Sequence, residues 1–165
     1  MKTGYTEAAG YCLISSARRE QPGAGFSRRL VAVVMGASSD AVRVTESQRL
    51  LNYGFQNFDT VRAYSKGQTL GKYPVWKGKT ELIEGGMDQD IFVTVARGQA
   101  DKVRGEIERV EPLVAPIREG QRIGTLRVKL GEQVLAERPV VAQAAIDEAG
   151  WFGRMWDGLR LKFSK

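Results

Sequence analysis

The first third of the chain alternates between strand-like runs and one helical stretch. Residues 11–16 form a short strand-like run, and the polar residues 18–25, which include proline and glycine, are typical of a loop. Residues 30–35 (LVAVVM) form a continuous run rich in β-branched side chains, which predicts a strand buried on both faces at the centre of a sheet. A helix is predicted over 40–58, where Ser38, Ser39 and Asp40 offer N-cap oxygens and apolar side chains recur at mostly helical spacing: Val44, Leu50, Leu51, Phe55 and Phe58.

Residues 59–146 change to short strand-like runs separated by glycine, proline and aspartate turns. Apolar side chains at 126, 128 and 130 alternate with Arg127 and Lys129, which predicts a strand with one buried face. Gly131 and Glu132 then predict a tight hairpin to the next strand. We therefore expect a small antiparallel β-sandwich or a partly open barrel. Its candidate strands are residues 61–64, 74–77, 91–96, 103–110, 121–130 and 133–141.

Residues 147–165 end the chain with a different pattern. At 100° per residue, six apolar side chains fall within an arc of about 140°, as on one face of a helix: Trp151, Phe152, Met155, Trp156, Leu159 and Phe163. Four cations accompany them, of which Lys162 falls inside the apolar arc: Arg154, Arg160, Lys162 and Lys165. This amphipathic, aromatic and basic pattern indicates a helix lying in a membrane surface. A terminal helix packed on the β domain or on a second copy is the alternative.

The composition and charge of the chain exclude several classes of function. The 165 residues (18.2 kDa) carry a net charge of +6, but the basic excess is spread thinly and forms no basic and aromatic stripe, so we expect no nucleic-acid partner. No apolar run of about 18 residues is present, so no transmembrane helix is expected. The absence of histidine and the single cysteine, Cys12, exclude histidine-based catalysis, an internal disulfide and a zinc finger. We expect no metal and no cofactor.

The sequence Lys2, Thr3, Gly4 is weak evidence alone, but residues 2–6 (KTGYT) run into 9–13 (AGYCL) and the first strand. Further matching stretches are Val34-Met35-Gly36, residues 50–55 (LLNYGF), Pro74-Val75-Trp76, Arg138-Pro139 and the aromatic, basic tail. In these stretches the chain resembles the low-molecular-mass penicillin-binding proteins, which are serine-type D-Ala-D-Ala carboxypeptidases. The resemblance covers the chain from the K-T-G box onward.

The resemblance implies three parts. Residues 1–58 would be the α+β end of a transpeptidase-like catalytic domain, residues 59–146 an all-β sandwich acting as a spacer, and residues 147–165 an amphipathic membrane-anchor helix. The protein would lie peripherally on the periplasmic face of the bacterial inner membrane. Its ligand would be a peptidoglycan stem peptide or a β-lactam.

The K-T-G residues suit a binding role in that chemistry. The Lys2 ammonium would supply a positive field for the peptide carboxylate, and the Thr3 hydroxyl would hydrogen-bond to it. Gly4 would let the substrate backbone approach closely. Their strand edge would align a peptide by strand addition.

The family's other two boxes, S-x-x-K with the nucleophile and S-D-N, do not occur in this sequence. We therefore expect the chain alone to be inactive and to be the C-terminal portion of a carboxypeptidase. The alternative function is a non-catalytic, membrane-associated β-sandwich interaction module. An incomplete sheet would expose edge and core surface, so we also expect homodimerisation or strand exchange through residues 1–58.

Overall fold

A computed structural model describes residues 1–21 and 24–150. The chain forms two units, one of Met1–Val61 with Thr94–Asp101, the other of Arg62–Val93 with the residues from Lys102 on. Of the helix expected over residues 147–165, residues 147–150 are not helical, because Glu148 instead forms a β-bridge with Gly78, and residues 151–165 lie outside the described residues. The elements in chain order are β1 Lys2–Thr6, β2 Gly10–Glu20, β3 Ser27–Ala37, α1 Asp40–Asn57, β4 Phe58–Tyr64, β5 Thr69–Trp76, β6 Leu82–Gly86, β7 Ile91–Ala96, a 3₁₀ turn Ala100–Lys102, β8 Val103–Arg109, β9 Leu113–Val114, β10 Arg122–Leu130 and β11 Gln133–Ala142.

The first unit is a three-stranded antiparallel sheet, in the order β1-β2-β3, with α1 against one face. The predicted helix is confirmed and begins where Ser39 caps it, because the Ser39 side chain accepts a hydrogen bond from the Val42 amide. Leu13 and Ala32 are buried. A Cβ on Gly54 would lie 2.7 Å from Leu30 Cδ1, so glycine in α1 permits close packing on β3.

Two expectations for this unit are wrong. Residues 30–35 do form a strand, but β3 lies at the sheet edge, and its alternate side chains Val31, Val33 and Met35 are exposed. The reason is that α1 covers one face of the sheet, and within residues 1–21 and 24–150 no element of this unit covers the other. The loop expected from residue 18 begins later, because residues 18–20 continue the β2 ladder opposite residues 27–29 of β3.

The second unit is built on a six-stranded sheet in the order β8-β10-β11-β6-β5-β9. The predicted hairpin at Gly131 is confirmed, since β10 and β11 pair antiparallel across it. Leu126 and Val128 are fully buried, while Arg127 and Lys129 pair with glutamates at the surface, as the alternation predicts. One pair departs from the expected antiparallel arrangement, because β5 and β9 pair in parallel. In addition, β4 and β7 form a two-stranded sheet.

The core of this unit sits behind β5, β6, β10 and β11. Its most buried apolar side chains come from several strands and the loops between them: Tyr73, Ile83, Met87, Ile91, Ile117, Ile123, Leu126, Val128, Val140 and Ala142. The short strand β6 contains Gly85, where a Cβ would lie 2.5 Å from Tyr73 Cε2. The tyrosine ring therefore occupies the space that a larger residue would need. Among the described residues, no helix has the length and apolar character needed to cross a membrane.

Candidate functional site

Strand β1 places the three K-T-G residues together on an exposed edge. All five residues of β1 are exposed, and β1 pairs with β2 on one side alone within the described ranges. The outer edge of β1 therefore presents backbone N–H and C=O groups to solvent, as a strand open to pairing does. The Lys2 ammonium donates a hydrogen bond to the Thr3 carbonyl at 2.9 Å.

The register of β1 places Lys2 on the uncovered face of the sheet. Lys2 lies opposite Ile14, which lies opposite Val33 on β3, and antiparallel partners project to the same face. Both Ile14 and Val33 are about half exposed. The Lys2 side chain thus leaves the sheet on the side away from α1, beside an apolar surface.

Gly4 is free of internal steric constraint. A Cβ placed on Gly4 would meet no atom of the described residues within 4 Å. The fold therefore does not need glycine here, and any requirement for it would come from something that approaches the strand from outside.

Arg43 of α1 fixes the K-T-G strand from behind. Its Nη1 donates hydrogen bonds to the carbonyl oxygens of Gly4, at 3.1 Å, and Cys12, at 3.2 Å, so one guanidinium ties β1 to β2. The Arg43 Nη2 pairs with Asp40 one turn earlier on α1. Only 12% of the Arg43 side chain is exposed, and its guanidinium lies 5.5 Å from the centre of the Tyr11 ring. The Tyr11 ring in turn packs against Tyr5 of β1, with ring centroids 4.6 Å apart.

Sequence reasoning missed Arg43, although one signal was present. A cation in the first turn of a helix opposes the helix dipole, which favours anions there. Asp40 offsets part of that cost. In the structure the Arg43 guanidinium binds two strand carbonyls outside the helix.

The other end of α1 is also held by arginines from outside the helix. The last turn contains no basic residue, so its carbonyl groups have no cation of their own. Arg28 of β3 donates to the carbonyl oxygens of Phe55, at 3.0 Å, and of Phe58, and Arg97 donates to that of Gln56 at 3.0 Å. Both ends of α1 are thereby fixed in the first unit.

Among residues 1–21 and 24–150, the titratable group with a clear shift is Tyr73, in the second unit. Burial raises the pKa of the Tyr73 phenol above its usual value, and the positive charge of Arg109 lowers that pKa in part. The Arg109 guanidinium lies 5.3 Å from the centre of the Tyr73 ring. Tyr73 is 2% exposed and belongs to the core, whereas Arg109 is exposed, so we interpret the pair as structural.

The ten membrane-binding residues expected between 151 and 165 lie outside the described residues. The residues just before them are held in the second unit by several contacts. Ile146 exchanges backbone hydrogen bonds with Ile117, and the Ala149 amide donates to the Lys77 carbonyl at 2.8 Å. The Lys79 ammonium lies 2.9 Å from an Asp147 carboxylate oxygen. In the part of the chain described, no group of three or more His, Cys, Asp or Glu side chains could hold a metal ion.

The protein thus combines an edge strand carrying K-T-G, backed by one helix, with a β-rich unit. Residues 58–148, more than half of the chain, match the family model described as penicillin-binding protein 5, C-terminal domain. The chain belongs to this family, and the resemblance seen in the sequence is confirmed.

The similar proteins are carboxypeptidases. The D-alanyl-D-alanine carboxypeptidase DacC of Escherichia coli is 36% identical over 99% of this chain and 40% of its own length. DacF of Bacillus subtilis is 36% identical over 92% of this chain and 38% of its own. The solved penicillin-binding protein 5 of Haemophilus influenzae superposes with a TM-score of 0.78 at 32% identity, covering 90% of this chain and 42% of that one. The chain thus spans about 40% of the length of the curated relatives that it matches.

Proposed function

We propose that this chain is the C-terminal portion of a D-Ala-D-Ala carboxypeptidase that trims peptidoglycan stem peptides. The observation that carries the proposal is the exposed K-T-G edge strand, held from behind by Arg43, in a chain similar to carboxypeptidases over nearly its whole length. A stem peptide would add as a further strand along the outer edge of β1. Gly4, with open space beside its Cα, would allow that backbone to come close.

Lys2 and Thr3 would recognise charge on the substrate. The Lys2 ammonium would attract the terminal carboxylate of the peptide, and the Thr3 hydroxyl would donate a hydrogen bond to it. The nucleophilic serine would come from a part of the protein outside this sequence. Its oxygen would attack the carbonyl carbon before the terminal D-Ala, which leaves as the free amino acid, and water would then hydrolyse the acyl-serine ester.

The uncovered face of the first unit supports this arrangement. Lys2 stands beside exposed apolar side chains on that face: Ile14, Val31, Val33 and Met35. A layer packed there would bury this apolar surface and would meet the Lys2 ammonium. We propose that the serine-bearing part of the whole protein is that layer. In the isolated chain the same surface would drive dimerisation or strand exchange, and a strictly monomeric mass by light scattering would contradict this expectation.

Labelling with a fluorescent penicillin tests the proposal in two ways. Membranes of the source cell should give a labelled band well above 18.2 kDa that an antibody against this chain also detects. In the complete protein, Lys2→Met should slow acylation by at least about 10²-fold, on the scale of losing one preorganised electrostatic group. Lys72→Met is the matched control, because Lys72 is an exposed lysine of the second unit, where it pairs with Glu84. Equal acylation by both variants would refute the role of Lys2.

A non-catalytic function is the second candidate, because the sequence has no S-x-x-K box. In that function the β-rich unit and residues 151–165 would hold a partner at the membrane. An unlabelled band at 18.2 kDa alone would favour it.

In either function we propose that residues 151–165 tether the protein peripherally to the periplasmic face of the inner membrane. Their pattern of two tryptophans, two phenylalanines and four cations supports the tether. Sedimentation with phosphatidylglycerol-containing vesicles tests it. Changing Trp151 and Trp156 together to serine should abolish cosedimentation, and Tyr53→Ser, at an exposed aromatic residue of α1, should not.

A further inference from the structure

The second unit carries an apolar patch on the outer face of its sheet. Pro74 lies opposite Leu82, and Trp76 opposite Val114, so the four side chains share one face. We call these four residues the outer apolar patch. The adjacent residues on these strands project to the other face of the sheet and are buried: Tyr73, Val75, Ile83 and Leu113. Leu82 is 54% and Val114 39% exposed, and three adjacent strands span about 10 Å, which is the width of one helix.

The described chain ends beside this patch. The Lys79 amide donates to the Asp147 carbonyl at 3.0 Å, and the Ala149 amide to the Lys77 carbonyl at 2.8 Å. Gly78 and Glu148 form a β-bridge between those two bonds. Residues 147–149 are therefore fixed against the segment that directly follows Trp76, and the described chain ends at Gly150, one residue beyond this contact.

Charge distinguishes between the possible occupants of the patch. Residues 72–84 and 147–150 together contain three lysines and four carboxylates, although the whole protein is basic. Residues 151–165 contain four cations and one carboxylate. This region has no basic excess that would attract an anionic lipid surface, whereas its carboxylates would attract the basic residues 151–165.

We propose that residues 151–165 pack their apolar side chains on the outer apolar patch when no membrane is present, and leave it when the protein binds a lipid surface. The second half of this proposal rests on the tether proposed above. The apolar side chains in question are Trp151, Phe152, Met155, Trp156, Leu159 and Phe163. These side chains cannot contact lipid and the patch at once. Only undocked molecules can bind the membrane, so the apparent membrane affinity is the intrinsic affinity multiplied by the undocked fraction.

Thiol alkylation at the patch tests the proposal in the full chain. Leu82→Cys is introduced with Cys12→Ser, so that one thiol is present, and its reaction with an uncharged maleimide is timed. Vesicles of phosphatidylethanolamine and phosphatidylglycerol should raise the rate roughly 5-fold or more, because the docked segment departs. The control is Val134→Cys on β11, 47% exposed in the native protein, which should react at one rate throughout.

The other outcomes overturn the proposal. A rate that falls when vesicles are added would mean that the patch itself contacts lipid. An unchanged rate in protein that cosediments with the vesicles would mean that membrane binding does not uncover the patch.

Cosedimentation of the same samples separates failure of the tether from failure of docking. If the protein does not cosediment with the vesicles, docking is tested in their absence. The alkylation rate of the Leu82→Cys chain is then compared with that of the same chain carrying Trp151→Ser and Trp156→Ser. Docking then predicts a roughly 5-fold faster alkylation, and an equal rate would refute it.

Discussion

Replacing Arg43 by methionine should loosen the K-T-G strand more than it affects the rest of the first unit. The change removes two hydrogen bonds from a charged donor to the carbonyls of Gly4 and Cys12. Such bonds contribute about 1.5–3 kcal/mol each when their loss leaves a group buried. Water can reach exposed β1, and the Arg43 Nε is buried without a partner, so both effects reduce the loss. We expect a net cost of about 2–3 kcal/mol.

Native-state hydrogen exchange measures this loss of stability at the individual amides of β1 and β2. Amides in the β1–β2 ladder should exchange about 30- to 150-fold faster in Arg43→Met, which is the same free energy expressed as an opening equilibrium. Arg43→Lys should fall between, because an ammonium cannot span both carbonyls as a guanidinium does.

Arg49→Met on the same helix is the matched control. Arg49 also pairs with a carboxylate three residues earlier, but its side chain is 72% exposed. The loss should stay within about 0.5 kcal/mol. Equal exchange of the β1–β2 amides in the Arg43→Met and Arg49→Met chains would refute the proposed support of β1 by Arg43.

Three further predictions concern stability. Gly85→Ala forces a Cβ to within 2.5 Å of the Tyr73 ring and should cost about 1–3 kcal/mol in urea unfolding, whereas Gly4→Ala, in open space, should cost far less. Ser39→Ala removes the cap of α1 and should cost about 1 kcal/mol, seen by circular dichroism at 222 nm, and an equal loss in Ser38→Ala would contradict this. The raised pKa of Tyr73 means that the unfolded chain ionises first, so stability should fall as pH rises above about 10. Tyr73→Phe should reduce that alkaline loss, measured as urea midpoints between neutral and alkaline pH.

The hairpin of β10 and β11 and the helix α1 could be predicted because their signals are local. Alternation from Leu126 to Lys129 fixes which face is buried, and Gly131 marks the turn. Ser39 likewise marks the start of α1 three residues before the amide it accepts from. Each of these patterns is complete within a few residues, so no distant partner is needed to interpret it.

Features that depend on distant partners could not be predicted in this way. The run at residues 30–35 indicates a strand, but burial of its second face depends on what packs there, and α1 covers one face. Strand β9 has two residues and exists because β5 pairs with it. Arg43 acts on carbonyls 39 and 31 residues away, and no local pattern encodes that contact.

The support behind β1 bears directly on the proposed function. An edge strand can bind a peptide with defined register only when its own position is fixed. Because the outer edge of β1 must stay unpaired for that purpose, its position has to be set by β2 and by Arg43 behind it. Arg43 lies on a helix whose other end is held by Arg28 and Arg97. The position of the K-T-G strand therefore depends on the position of the whole helix α1. Changes at Arg28 of β3, which holds the end of α1 opposite to Arg43, should therefore loosen β1 as well.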